Sequence, residues 1–390
     1  MTTKILALVN PSILVWARHE MGLTTEEAAK AIGISGSRLA ACESGNDHLT
    51  FAQFRRAAET YRRPSAIFFL EQVPSSLPLP DFRRVPENRD EPLSTELRLD
   101  VRRIYQKRKA AIGLSEFGFK YDWAYVRSIQ STQDPEKTGM EIRNLLRIPQ
   151  SFPRGIGGPY KAFNHWRTAI ESLGTFVFMF HRVPVEEMRG LAIADRPYPT
   201  ITVNRKDLPQ ARSFTLLHEF SHVLLGESTM CDISEQTRED TYLSQMTEAF
   251  CNHTAGAALV PRTVLENNEA VLAHGTSEEW TEKELQYLSS YFCVSREVVL
   301  RRLLVIGRTT RDFYRHKREE WANLPRFKKA RVFAERVHER VLQTDGLTYT
   351  RLVLNALENN AISAGDASEL FGFDLKHLSA LEQLVSEKGK

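Results

Sequence analysis

The chain has 390 residues, 26% of them charged and 42% apolar, and its formal net charge is +3. That length supports two or three domains, each burying its own core, and a charge so close to balance does not by itself argue for nucleic acid. No uncharged apolar run approaches the roughly 18 residues of a membrane span, which excludes a helical membrane protein on sequence grounds. The four cysteines, Cys42, Cys231, Cys251 and Cys293, show no CxxC spacing. They predict reduced thiols in a cytoplasmic protein, not a disulfide frame.

Ile5 to Ala17 follows a lone Lys4 and has the outline of a weak signal-peptide core, but Asn10, Pro11 and Ser12 interrupt it. It is read instead as the first helix of a compact series over residues 12–72. Thr24 and Glu27 form a capping box, Ala28, Ala29 and Ile32 make an apolar stripe, and Gly33 ends that helix. Ser35 caps a second short helix that stops near Glu43-Ser44-Gly45, and a third starts around Thr50. Two short helices joined by a glycine-containing turn predict a helix-turn-helix.

The stretch from SILVWARHEMGLTTEEAAKAIGISG to PSAIFFL resembles a Cro/CI-type (XRE) DNA-binding domain, on Arg18, the GLTTEEAAKAIGIS run, Glu43-Ser44-Gly45 and the closing helix before Pro64. The resemblance implies a five-helix fold whose recognition helix offers Ser35, Ser37 and Arg38 to DNA. Of these, only Arg38 is a typical guanine reader. Residues 1–80 carry eight Lys/Arg against seven Asp/Glu, few cations for phosphate contacts. Double-stranded DNA is therefore a partner expected from the fold more than from charge.

Residues 73–92 hold Pro74, Pro78, Pro80, Pro86 and Pro92 and predict a linker, extended to residue 100 in the domain scheme. Helices are predicted over 94–114, 136–148 and 163–173, with a Pro/Gly-rich loop at 151–160. Strands are predicted at 175–181, 191–194 and 200–203. After this small sheet comes LLHEFSHVLLG.

His218 and His222 lie four apart on a predicted helix, so both project from one face, with Glu219 between them. Two imidazoles and a neighbouring carboxylate suit a zinc ion beside a general base. A peptidase site needs a third protein ligand and one open position. Leu225 and Ser228 occupy the places where an HExxHxxGxxH site would need glycine and histidine. A carboxylate from a following helix remains: Asp232, Glu235, Glu239 or Glu248. Glu248 is favoured because it opens an apolar helical segment, Ala249 to Leu259, able to pack on the motif helix. Asn252, one turn on, is placed to hold the second ring nitrogen of a ligand histidine. His253, Tyr242 and His274 are candidate donors to an oxyanion.

The segment ITVNRKDLPQARSFTLLHEFSHVLLG, followed by EAFCNHTAGAALVP, resembles the ImmA/IrrE metallopeptidases over roughly residues 160–310. The matching positions include Phe214, Thr215, His218, Glu219, His222, Glu248, Asn252, Ala255, Leu259 and Pro261; Cys251 and Thr254 depart from the family's usual Ala and Phe. The resemblance implies Zn2+ on His218, His222 and Glu248, with Glu219 as catalytic base.

The last third predicts helices over 282–292 and 296–306, a second helix-turn-helix-like unit with Ser295 as a cap. A third such shape is predicted over 349–370 and 375–384. Residues 301–340 hold 13 Lys/Arg against 5 Asp/Glu, which fits an extended DNA footprint, an acidic partner, or a solvated helix face paired with Glu.

The expected fold class is α+β and mostly helical. The domain scheme is a helix-turn-helix domain at 1–72, the linker at 73–100, a zincin-like peptidase at 101–265 and a helical domain at 266–390. The expected function is a bacterial-type cytoplasmic regulator: a zinc endopeptidase that cuts a repressor- or antitoxin-like protein in a stress or mobile-element response, coupled to a DNA-binding or docking head. Homodimerisation is compatible with that head. The alternative is an XRE-type transcription regulator whose zinc domain is a sensor or scaffold without proteolysis.

Overall fold

The computed structural model describes residues 5–74, 93–228, 238–323 and 335–387. Among these are eighteen α-helices and five short strands, an α+β fold that is mostly helical. None of the described helices is long and apolar enough to cross a membrane. The chain divides into two compact units, the boundary falling between Gln106 and Lys107. Of the residues read as a linker, 75–92 lie outside the described residues, as does Cys231.

The first unit opens differently from expectation. Leu6–Ala7 is a strand, β1, paired antiparallel with β2 at Leu49–Thr50. Helix α1, Pro11–Glu20, begins only where the Asn10 side chain accepts from Ser12 N at 3.0 Å and Pro11 takes the first helical position. Local cap chemistry thus overrides the apolar run that predicted a helix from Ile5.

Helices α2 (Thr25–Ile32), α3 (Gly36–Glu43) and α4 (Phe51–Thr60) follow, with a 3-10 turn at Ser65–Phe69. The Thr24–Glu27 capping box is present, and Gly33 ends α2 at φ +82°. Ile13, Leu14, Ala17, Ala29, Ile32, Leu39, Phe54 and Phe68 form this unit's core. Arg18 grips Glu43 through two hydrogen bonds of 2.8 and 2.9 Å and so ties α1 to the end of α3. Helix α5, Thr95–Gly113, contains the unit boundary.

In the second unit, α6 (Pro135–Leu145) and α7 (Pro159–Glu171) precede a three-stranded sheet of β3 (Phe176–Phe180), β4 (Gly190–Ile193) and β5 (Thr200–Asn204). The order is β3-β5-β4, with β5 parallel to β3 and antiparallel to β4. Every side chain of β3 and β5 is buried, which explains the unbroken FVFMF run: both faces are covered. Val177 and Met179 join the core beneath Leu216 and Phe220 of α8 (Pro209–Leu225). Phe176 and Phe178 meet Tyr349 of α16 (Leu347–Glu358) with ring centroids 5.6 and 5.3 Å apart.

Helix α9 runs Arg238–Leu259, so it starts ten residues before Glu248 and does not open on it as the sequence suggested. Its polar first turns carry no apolar stripe to reveal them. Gly139 of α6 lets α9 approach closely, since a Cβ there would sit 2.6 Å from Ala257 Cβ. One apolar core continues from this region through α10 (Arg262–Glu266), α11 (Glu269–Ala273), α12 (Glu282–Phe292) and α13 (Arg296–Val305).

The α12–α13 pair has the expected turn, with Cys293 at φ 54° and Ser295 capping α13. Val298, Val299, Leu300, Arg302 and Leu303 of α13 are all buried, while Arg296, Glu297, Arg301 and Leu304 are partly exposed. The basic stretch is largely spoken for. Arg318 pairs with Glu297 at 3.1 Å, Lys317 with Glu320 at 2.8 Å and Glu282 at 3.2 Å, and Arg315 with Asp312 at 3.5 Å on α14 (Arg311–Ala322). Residues 324–334 of this basic stretch lie outside the described residues.

The C-terminal helices are α15 (Val337–Asp345), α16, α17 (Ala364–Phe371) and α18 (Leu378–Glu387). The predicted 349–370 helix is two, broken where Asn360 takes φ 57° and Ser363 caps the next. Lys107 pairs with Asp345 in the interior, and Glu171, buried beside Arg167, accepts from Leu347 N at 3.4 Å. Burial pushes the Glu171 carboxyl upward, against the pull of Arg167.

Candidate metal centre

Helix α8 is set by punctuation at both ends. Pro209 occupies its first turn, and Gly226 closes it at φ +72°, where its N–H reaches Val223 O at 3.0 Å. Within it His218 and His222 sit one turn apart, their ring planes at 70° and centroids 4.9 Å apart. Phe214, one turn earlier, lies nearly parallel to the His218 ring at 6.4 Å. Helix α9 packs on α8 and brings Glu248 to the same place.

The three side chains converge on one point. His218 Nε2 and His222 Nε2 are 3.3 Å apart, His222 Nε2 is 3.2 Å from Glu248 Oε1, and His218 Nε2 is 3.5 Å from Glu248 Oε2. A tetrahedral ion with N or O ligands at about 2.0–2.1 Å holds neighbouring donors about 3.3–3.4 Å apart. The spacing and the donor set, two imidazoles and a carboxylate, therefore fit a divalent metal. This is the cluster of metal-type side chains found among the described residues. His222 is wholly buried, whereas Glu248 keeps 29% of its side-chain surface, which leaves one side of the cluster open.

Behind the cluster, two further side chains come near the His222 ring. Asn252 is half-buried on α9 and its side chain makes no hydrogen bond to either ring. His222 Nδ1 instead faces Cys251 Sγ at 3.7 Å and Glu227 Oε2 at 3.8 Å. Glu227 follows the left-handed Gly226, and its N–H returns to His222 O at 3.0 Å. Neither residue was singled out from sequence as a support for the ring. Cys251 could have been found, since it stands about one turn from Glu248 on the same helix.

Glu219 is 7% exposed and backs onto β4. A Cβ on Gly190 would lie 2.7 Å from Glu219 Oε1 and 2.5 Å from Thr215 Cγ2, so only glycine fits there. Gly190 carried no signal in the sequence, because the approach is between elements far apart in the chain.

Two of the oxyanion candidates have carboxylate partners in the structure. His253 Nε2 lies 2.7 Å from Glu136 Oε1, and Arg302 Nη2 donates to the same carboxylate at 2.8 Å. Burial alone would raise the Glu136 carboxyl, but the hydrogen bonds and charges of Arg302 and His253 pull it down to about 2. His274 is held at Nδ1 by Glu284 at 2.7 Å and stacks on Trp280 at 3.7 Å. Asp232 and Glu235 lie outside the described residues, as do the side chains of Glu239 and Tyr242.

In the helix-turn-helix, Ser35 Oγ accepts from Arg38 N at 3.3 Å and lies 3.2 Å from Ser37 Oγ. Arg38 Nε donates to Asp47 at 3.1 Å. The one arginine of α3 is thereby paired with a carboxylate of its own domain.

Comparison with known proteins agrees with this layout. Residues 173–304, from the start of β3 to α13, match the family model of the IrrE N-terminal-like domain, a peptidase family. Residues 14–66 match a helix-turn-helix domain model. A 72-residue segment, 18% of the chain, is 33% identical to the radiation response metalloprotease IrrE of Deinococcus radiodurans and spans 22% of that protein's length. The chain is therefore similar to a helix-turn-helix domain over residues 14–66 and to the IrrE N-terminal-like domain over residues 173–304, and that metallopeptidase family implies a metal.

Proposed function

We propose that the second unit is a zinc endopeptidase, with His218, His222 and Glu248 as the metal ligands and Glu219 as the general base. The convergence of three donor atoms at tetrahedral spacing carries this reading. Zinc on such a site polarises a carbonyl and brings the pKa of a bound water towards about 7.

The chain's own part is to hold and move protons. Glu219 is next to His218 on α8 and takes a proton from the attacking water, then returns it to the leaving amine. Its carboxylate is buried and wedged against Gly190, so little rearrangement is needed at the moment of transfer. Cys251 and Glu227 limit rotation of the His222 ring, which fixes the direction of its Nε2 lone pair. The open side at Glu248 is where a peptide approaches.

The substrate class is a partner protein, repressor- or antitoxin-like, cut in the cytoplasm. The relative's printed role as a radiation response metalloprotease supports a stress-linked switch. The helix-turn-helix serves as the head that brings the peptidase to DNA or to its target. Incubating purified chain with candidate helix-turn-helix repressors tests this. Wild type should cut one of them, while Glu219→Gln should retain the metal and cut none; equal cleavage by both proteins would reject Glu219 as the base.

A further inference from the structure

In the first unit, six of the seven exposed large apolar side chains lie on neighbouring segments around the outer edge of β1, Leu6 and Leu8 on the strand face opposite Ala7. Ile5 is 73% exposed, Leu6 49%, Leu8 71%, Phe51 50%, Phe69 52% and Leu70 47%. The hydrogen bonds make them neighbours. Phe51 N donates to Ile5 O at 2.9 Å, Asn10 N to Phe68 O at 2.9 Å, and Asn10 Nδ2 to Leu70 O at 3.0 Å. The rings of Phe51, Phe54 and Phe69 continue the contact at centroid spacings of 5.9 and 5.4 Å. Exposed large apolar side chains elsewhere among the described residues are scattered singly along the second unit.

The strand register explains why this surface is unusual. Ile5 and Ala7 turn their backbone groups toward Phe51 and Leu49 of the paired segment. Leu6 and Leu8 therefore turn theirs outward, along the unpaired edge of β1. A solvent-facing edge normally carries lysine or proline as protection; here it carries leucine. Glu71 is the one charged residue within residues 5–10, 49–51 and 67–73.

We infer that this face pairs with the same face of a second copy of the chain. A surface almost without charge offers no complementarity to an acidic or basic partner, but it matches itself. An antiparallel strand edge is also self-complementary about a twofold axis, as an isologous dimer requires. The exposed apolar area is on the order of 500–600 Å² per molecule, so two copies bury on the order of 1,000–1,200 Å², the lower end of specific interfaces. The inference is independent of the peptidase reading, because no residue of the metal centre takes part.

Sedimentation equilibrium of the full chain, from about 1 to 100 µM, tests it. The wild type should shift from its 44.6 kDa monomer to twice that mass. Leu6→Lys and Leu8→Lys should each remain monomeric with an unchanged melting temperature and metal content, while Leu272→Lys, at an isolated exposed leucine of α11, should dimerise like the wild type. Amide exchange on the wild type gives a reading that no variant can spoil: the Leu6 and Leu8 N–H groups should become protected as concentration rises. A wild type that stays monomeric throughout, a dimer indifferent to both lysine substitutions, or amides of Leu6 and Leu8 that exchange equally fast at both ends of the range would each overturn the inference.

Discussion

His222 Nε2 and Glu248 Oε1 stand 3.2 Å apart although 26 residues separate them in the chain. Neither α8 nor α9 alone holds a metal; the site exists where the two helices pack. Its integrity is therefore a readout of tertiary packing as well as of ligand chemistry.

Glu219→Gln preserves shape and removes the base. Turnover should fall by about 10²–10⁴-fold, the usual contribution of general acid–base catalysis, while the zinc content stays at the wild-type level. Steady-state kinetics with parallel metal analysis checks both halves; a variant that lost its metal would mean that Glu219 supports the ligands and does not act as the base.

Gly190→Ala tests the backing of Glu219. The added methyl meets Glu219 Oε1 at 2.7 Å and Thr215 Cγ2 at 2.5 Å, so a side chain must move. A displacement of about 1 Å at a catalytic group costs on the order of 10²-fold in rate. Kinetics should show that loss with metal affinity unchanged, and full activity would mean that Glu219 has room to relax.

The support of His222 separates two expectations. Glu227→Ala and Cys251→Ala should each weaken zinc binding by up to about 10-fold, the lower end for groups that orient a metal-bound histidine. Asn252→Ala, which removes no hydrogen bond to either ring, should leave affinity alone. Competition against a chromophoric chelator ranks the three; a large loss at Asn252 alone would restore the arrangement expected from sequence.

The regularities readable in the sequence are the ones that act within a turn or two of chain. The Thr24–Glu27 box, the Ser295 cap, the i, i+4 histidines and the buried FVFMF strand all follow from short spacing and local chemistry. Glu248 became legible through a second motif at fixed distance. What stayed hidden depends on contacts between distant elements: the two-residue β1 needs Leu49–Thr50 to exist, Gly190 matters only because α8 lies against β4, and α9 begins in a polar stretch without periodic apolar residues. For Asn252, one turn along a helix gives the face but not the rotation of the side chain. Cys251 and Glu227 reach the ring first.

The Glu136–Arg302 pair makes an acid-stability prediction. Glu136 is lowered from its ordinary 4.5 to about 2 in the folded chain. A depressed carboxyl contributes stability that is full above its unfolded value and is lost as the pH falls through the folded one. The stability difference between wild type and Glu136→Gln should thus be constant above about pH 5 and shrink between pH 4.5 and 2. Arg302→Ala, which removes a buried guanidinium and leaves Glu136 with His253 as its partner, should cost on the order of 1–3 kcal/mol near neutrality. Urea unfolding across pH measures both, and a pH-independent difference would mean that the pair does not set the carboxyl's titration.

Arg38 offers a test of the helix-turn-helix as a DNA reader. Its hydrogen bond to Asp47 at 3.1 Å withholds part of its charge. Asp47→Ala should strengthen retention on double-stranded DNA at low salt, and Arg38→Ala should weaken it. If neither substitution changes retention, α3 is not the contacting surface and the head docks to protein.

The most direct test of the account is the zinc content of the purified chain alongside Glu248→Gln. The wild type should carry close to one zinc per chain, and Glu248→Gln should lose most of it, with affinity lower by at least about 10² because one of three protein ligands is gone. A Glu248→Gln protein that binds zinc as fully and as tightly as the wild type would contradict the site built from His218, His222 and Glu248.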